Sequence, residues 1–271
     1  MSQAYVHGYH LREMERLQDQ AETLVDLLHS DTAYRPGSAV LEAGCGVGSQ
    51  TVALAQRSPG ARFTSVDISA GSVAEAARRV RAAGLNNVEF RQADIFALPF
   101  APESFDHAFV CFVLEHLARP AAALSVLMGL VRPGGSITVI EGDHGSTYFH
   151  PDSAAARAAI RCQVELQHQA GGDANIGRRL YPIMVEAGLG SVRVSPRMVY
   201  VDASRPDLVE GFTRQTFAAM IEGVREPAVA AGLTDPEQFD AGVRDLHRTT
   251  ESDGTFSYTF FKGVGEKMRT A

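Results

Sequence analysis

Between residues 38 and 141, short apolar runs alternate with amphipathic stretches, and this alternation limits the fold more than any other feature of the chain. SAVLEAG (38–44) reads as a buried strand and SQTVALAQRS (49–58) as a helix, with Pro59-Gly60 beyond its end. ARFTSVDIS is a second strand, and AGSVAEAARRVRAAG is a helix closed by Gly84. NVEFRQAD and SFDHAFVCFV are strands three and four. A helix from Pro120 to Val131 follows, and Pro133-Gly134-Gly135 turns into SITVIEG, a fifth strand. Strands separated by single helices form βαβ units and a parallel sheet.

The pattern changes on both sides of this core. Residues 10–30 set Leu11, Met14, Leu17, Ala21, Leu24 and Leu28 at helical spacing. After residue 142, helices are expected over 151–170 and 176–187. SVRVSPRMVYV reads as a strand, residues 206–250 as helical, and TFSYTFFKGVG as a final edge strand. With 271 residues and neither a repeat nor a low-complexity linker, the chain reads as one domain. Its net charge of −7 disfavours a nucleic-acid backbone as partner. Neither a signal-peptide pattern nor an apolar run of membrane-spanning length is visible, so no membrane partner and a cytoplasmic location are expected. Three scattered cysteines, Cys45, Cys111 and Cys162, suggest neither a metal site nor disulfides.

The loop after the first strand, VLEAGCGVGSQ, carries Gly44, Gly46 and Gly48 behind the acid Glu42. Such a loop, leaving a parallel strand and entering a helix, is a natural ligand site. A triphosphate cradle needs GxxxxGK[ST], and there is no lysine here. A dinucleotide fingerprint needs a third glycine where Ser49 stands. Asp67 ends the second strand, where an acid can accept from ribose hydroxyls. Asp94 ends the third, where an acid can accept from an adenine amino group while Ile95 packs on the ring.

Glu42-x-Gly44-x-Gly46-x-Gly48, Asp67, Ala93-Asp94-Ile95, Phe105-Asp106 and Leu130-Val131-Arg132-Pro133-Gly134-Gly135, in this order, resemble the class I S-adenosylmethionine-dependent methyltransferases over residues 38–141. The resemblance implies an α/β, Rossmann-like, doubly wound seven-stranded sheet of order 3-2-1-4-5-7-6. By the same resemblance, strand seven would be antiparallel and helical additions would be present. It implies a helical lid over 1–35, a cofactor-binding core over 36–142, and a remainder over 143–271 that completes the sheet and caps the substrate. The cofactor would be S-adenosylmethionine, leaving S-adenosylhomocysteine as product. The glycine loop, with Glu42, Gly44, Gly46 and Gly48, would hold its methionine part, Asp67 the ribose and Asp94 with Ile95 the adenine, and Ile68 would be a further cofactor contact. Cys111, Gln20 and Tyr9 are further cofactor contacts expected from their places in the core and the lid.

Where amino-methylating enzymes of DNA and protein carry [DNS]PP[YFW], this chain reads Cys111-Phe112-Val113-Leu114-Glu115-His116. It therefore resembles the small-molecule O-, N- and C-methyltransferases of quinone biosynthesis and secondary metabolism. The segment Glu141 to His150 (EGDHGSTYFH) begins where the fifth strand ends, on the ligand side. His144 is the first candidate base, since imidazole titrates near neutrality, and His150 the second. Tyr5, Tyr148, Phe149, Arg178, Tyr200 and Phe212 are candidate acceptor contacts. Phe212, Thr216 and Met220 fall four apart, a stripe that fits either a pocket or a core. The helical additions could also join two copies of the chain. Methylation of an electron-rich alkene through a carbocation is an alternative chemistry, with aromatic faces stabilising the cation. An NAD(P)-dependent oxidoreductase and a non-catalytic adenosyl-binding protein are the alternatives of another class.

Overall fold

A computed structural model describes residues 24–269. The expected parallel core is present: β1 (Ala39–Ala43), β2 (Arg62–Asp67), β3 (Val88–Gln92), β4 (Phe105–Cys111) and β5 (Val131–His150). The β1–β2, β2–β3, β1–β4 and β4–β5 pairs are all parallel. Helices α1 (Ser49–Arg57), α2 (Ala70–Ala82) and α3 (Pro120–Leu130) make the crossovers. Local chemistry sets their ends. The Ser69 hydroxyl accepts from the Ser72 N–H to start α2, and Pro120 occupies the first turn of α3.

The sheet has seven strands in the order β3-β2-β1-β4-β5-β7-β6, where β6 is Gly190–Val201 and β7 is Thr255–Glu266. The chain's last strand therefore lies between β5 and β6 and is not an edge, which corrects the reading of TFSYTFFKGVG from its own residues. Its direction follows from hydrogen bonds. Gly134 N–H donates to the Lys267 carbonyl and Lys267 N–H to that of Gly135, while Thr259 N–H donates to the Ser146 hydroxyl. Partners later on β5 are earlier on β7, so β7 runs antiparallel. Burial explains the interior place: Phe256, Tyr258 and Phe260 are at most 3% exposed.

The chain divides into two compact units. One comprises Val25–Glu141, Ile176–Arg197 and the chain from Phe260 onward. Its core joins Leu41, Val66, Val110, Leu114, Leu124, Leu127, Ile137, Val139 and Leu180, all buried. The order of its strands reverses between β1 and β4, which opens a crevice at their carboxyl ends.

The other unit comprises Gly142–Asn175 and Met198–Thr259. Here α4 (Ala154–Gln169) lies close to the helix Pro236–Arg248. A Cβ on Gly242 would stand 2.5 Å from the Ala155 carbonyl oxygen, so only glycine permits this approach. Between them the expected helical stretch is broken, and Val209–Ala218 is a π-helix. The wider turn brings residues five apart onto one face. Phe212 and Phe217 both meet Phe256 and Tyr258, with ring centroids 4.8–6.0 Å apart, and the Thr216 hydroxyl donates to the Gly211 carbonyl. The stripe of residues four apart read from the sequence is replaced by this five-residue register. The 176–187 stretch is a 3₁₀ turn, Ile176–Arg179, followed by α5 (Leu180–Glu186).

Candidate active site

The glycine loop bends out of β1 through three left-handed residues, with φ of 80° at Gly44, 52° at Gly46 and 82° at Gly48. Their surroundings differ. A Cβ at Gly44 would lie 2.3 Å from Val113 Cγ2, and one at Gly48 would lie 2.8 Å from the Ala76 backbone. A Cβ at Gly46 would meet nothing within 4 Å. The outer glycines are thus required by packing, whereas the middle one leaves its backbone bare toward open space. The Gly44 and Cys45 N–H groups are taken by the Val66 carbonyl.

Asp67 stands at the end of β2, beside this bare backbone. One carboxylate oxygen accepts from Gly46 N–H and the other from Ser69 N–H, both at 2.9 Å. Ile68 follows with half its surface exposed, an unusual state for isoleucine and one suited to covering a flat ring. Asp94 is exposed after β3 and accepts from Phe96 N–H at 2.9 Å, while Ile95 is half-buried against the core.

Glu42 is 2% exposed beneath the loop. Its Oε2 accepts from the Thr51 and Ser65 hydroxyls at 2.7 and 2.6 Å. Burial pushes its carboxyl up to about 7 against those hydrogen bonds. Glu42 thereby ties β1 to α1 and β2 and fixes where the loop departs. Burial also pushes the Cys45 and Cys111 thiols up, so neither is a thiolate at neutral pH.

The turn after β4 flanks the crevice. Phe112 holds a left-handed φ of 56°, rare for a bulky residue, and the Val113 side chain fills the space that Gly44 leaves. Behind this turn lies Glu141, a residue the sequence reading did not single out. It is fully buried, and its Oε1 accepts from Val113 N–H at 3.0 Å and Leu114 N–H at 2.7 Å. Burial, reinforced by nearby Glu115, raises its carboxyl well above the usual range. A signal for it exists. In TVIEG, as in AVLEAG, an acid follows an apolar strand run and stands within two residues of a glycine.

In the other unit, His144 is buried. Its backbone N–H and its ring Nδ1 both meet the Ala174 carbonyl, at 3.0 and 3.1 Å. A carbonyl only accepts, which assigns the ring hydrogen to Nδ1. The Tyr258 hydroxyl is 3.0 Å from the same nitrogen, and only a glycine at 142 leaves room for it. Phe149 stacks on Phe256, and Phe212 is buried in the same aromatic cluster. Tyr148, Tyr200, Arg178 and His150 are exposed. Tyr5, Tyr9 and Gln20 lie outside the described residues.

Residues 40–135 match a family described as a methyltransferase domain. An uncharacterised 37.1 kDa protein in transposon TN4556 of Streptomyces fradiae is 36% identical over 216 residues, which is 79% of this chain and 61% of the relative. The demethylmenaquinone methyltransferase of Clavibacter sepedonicus is 37% identical over 105 residues, 39% of this chain and 41% of that enzyme. The chain thus spans less than two thirds of either relative. Among solved structures, a geranyl diphosphate methyltransferase in complex with S-adenosylmethionine gives a TM-score of 0.53 at 19% identity. The match covers 93% of this chain and 85% of that one, a likeness of fold.

Proposed function

From the premise that this chain carries a class I S-adenosylmethionine-dependent methyltransferase domain over residues 40–135, we propose that it transfers a methyl group to a small-molecule acceptor. The observation that carries this reading is the bare Gly46 backbone, with its N–H held on Asp67. A ligand can lie there where any side chain would stand. When bound, S-adenosylmethionine supplies a methyl group already activated on a sulfonium, so the protein's task is to bind, orient and exclude water.

The chain's own residues fit that cofactor. Gly44 and Gly48 lock the loop so that Gly46 stays open. Asp67 retains lone pairs for the ribose hydroxyls, Ile68 and Ile95 offer apolar surface to the adenine, and Asp94 offers an acceptor to its amino group. Cys111, a neutral thiol, packs at the end of β4, and Glu42 holds the loop from below. For the acceptor, His144 is the proposed base, with Nε2 as the proton-accepting nitrogen, because the Ala174 carbonyl fixes the hydrogen on Nδ1. The relative named demethylmenaquinone methyltransferase makes demethylmenaquinone the first acceptor to try. A role in secondary metabolism and a cytoplasmic location belong to the same reading. Among the described residues, no helix is long and apolar enough to cross a membrane.

Calorimetry tests the donor. Binding of S-adenosylmethionine and S-adenosylhomocysteine, with none of NADH, is expected, and the reverse would refute the proposal. Labelled methyl transfer into an extract of the source organism, with mass spectrometry of the product, then names the acceptor. Binding without any transfer would leave an adenosyl-binding protein in place of an enzyme. A His144→Ala protein with unaltered kcat at every pH would remove His144 from the reaction.

A further inference from the structure

His29 is fully buried at the end of helical residues 24–29, ahead of β1. Stability alone does not call for a histidine there. Among the described residues its Nδ1 has no hydrogen-bond partner, and a buried polar atom without one opposes folding. A methionine would fill the same place against the Phe109 ring, 5.7 Å away, without that cost. What the histidine adds is its other nitrogen. Burial depresses the ring to about 4, so at neutral pH it carries a single ring hydrogen. Nε2 lies 2.5 Å from Gln50 Oε1, and an amide oxygen only accepts, which puts that hydrogen on Nε2.

Gln50 is the second residue of α1, in the turn that continues the glycine loop. This turn lacks the usual side-chain cap, because its N-cap residue is Gly48. Three successive side chains hold it instead. Ser49 Oγ accepts from the Arg79 guanidinium at 3.3 Å, Gln50 accepts from His29 at 2.5 Å, and the Thr51 hydroxyl donates to Glu42 at 2.7 Å. The first bond is long, and Arg79 also donates to Glu75. The short ties are those to His29 and Glu42. His29 is itself held in place. Thr32 N–H donates to its carbonyl at 2.9 Å, and Asp31 and Thr32 both accept from the Lys262 ammonium on β7 at 2.6 Å. These residues all belong to one compact unit, which also contains Gly46 and Asp67.

We propose that His29 is a positioning residue for the cofactor: through Gln50 it fixes the first turn of α1, and with it Gly48 and the open backbone at Gly46. It touches no ligand itself. The loop is set before the cofactor arrives, so the energy of ordering it is not drawn from binding. Loss of the tie is therefore read in affinity, beyond any change in folding.

The inference rests on the methyltransferase reading, and one titration series separates the two. Wild type, His29→Met, His29→Gln, Gln50→Leu and the double variant of His29→Met with Gln50→Leu are titrated with S-adenosylhomocysteine, and the ligand-free Tm of each is measured. His29→Met keeps the volume and removes both the N–H and the unpaired nitrogen. Its affinity is expected to fall about five- to tenfold, the effect of one hydrogen bond. His29→Gln sets an amide N–H where Nε2 was and should bring affinity back to within about twofold of wild type. Gln50→Leu, at a partly exposed position, should lose as much as His29→Met, and the double variant no more than either. Wild-type affinity in His29→Met or Gln50→Leu overturns the proposal, whatever happens to Tm, because a purely structural histidine would change Tm alone. Additive losses in the double variant, or a loss that His29→Gln does not restore, overturn it too. Gln50→Leu carries the test even where His29→Met does not fold. Failure of the wild type to bind S-adenosylhomocysteine overturns the methyltransferase reading itself, and this inference with it.

Discussion

Gly46→Ala separates what the glycine loop does for folding from what it does for binding. The new Cβ meets no protein atom within 4 Å, so the structural cost is confined to the left-handed backbone at φ 52°. That cost is about 1–2 kcal/mol. For a chain of this size it corresponds to a fall in Tm of about 2–8 °C. Gly48→Ala carries the same backbone strain and adds a Cβ 2.8 Å from the Ala76 backbone. Overpacking of that kind costs about another 1–3 kcal/mol. The ranking reverses for ligand. In the proposed site, alanine at 46 would stand where the cofactor is assigned and should weaken S-adenosylhomocysteine about 10–100-fold, or about 1.4–2.8 kcal/mol. Thermal unfolding with and without S-adenosylhomocysteine reads both quantities. At a concentration of about 100 Kd, the wild type gains about 2.7 kcal/mol from ligand. Gly46→Ala should keep most of its intrinsic stability and lose most of that gain. A Gly46→Ala protein with wild-type affinity would refute the assignment of the open side of the loop to the cofactor.

Other perturbations test the buried charges. Glu42 is raised to about 7 from 4.5, so its favourable contribution is complete below pH 4.5 and is lost as pH rises through 7. Glu42→Gln should therefore raise Tm at pH 8 relative to wild type, by up to roughly 3 kcal/mol of stability, and change it little at pH 4; a lower Tm at pH 8 would argue against the burial term. Burial depresses His29 from 6.5 to about 4, which gives the opposite sign: its contribution is present above pH 6.5 and lost as pH falls through 4. Chemical denaturation of His29→Gln across that window should show a flatter acid limb than wild type, and an unchanged limb would count against it. Lys262 is buried, with its ammonium on Asp31 and Thr32. Asp31→Ala, which leaves that cation without its carboxylate, should destabilise more than Lys262→Met, by about 1–2 kcal/mol after allowance for the exposure of Asp31; equal losses would mean the pair is solvent-screened. Gly44→Ala is expected to unfold the loop through Val113, and Val113→Ala in the same chain should restore part of the lost Tm, since the clash is with Val113 Cγ2 at 2.3 Å.

Elements whose causes are local are legible in the residues themselves. Apolar runs alternating with amphipathic stretches specify βαβ units, because each helix must bury its stripe on the sheet that it follows. Ser69, Pro120 and Gly84 mark helix ends through hydrogen bonds and backbone angles that involve only their neighbours. Gly44, Gly46, Gly48 and Asp67 were legible for the same reason, since a loop with three left-handed residues is written in glycine.

Features that depend on residues far apart in the chain emerge from the fold. It showed that Gly46 alone of the three faces open space, because Val113 and Ala76 come from other elements to cover its neighbours. It placed β7 inside the sheet, a position fixed by pairing with β5 more than a hundred residues earlier and not by any pattern in TFSYTFFKGVG. It set the five-residue register of Val209–Ala218, which answers to Phe256 and Tyr258 across the unit. It also singled out Glu141, whose sequence context matches that of Glu42. The partners of Glu42 are hydroxyls on both adjoining elements, and those of Glu141 are backbone N–H groups of the turn after β4. Burial and partner geometry, which no local pattern encodes, separate an acid that holds a loop through hydroxyls from one that caps a turn through backbone N–H groups.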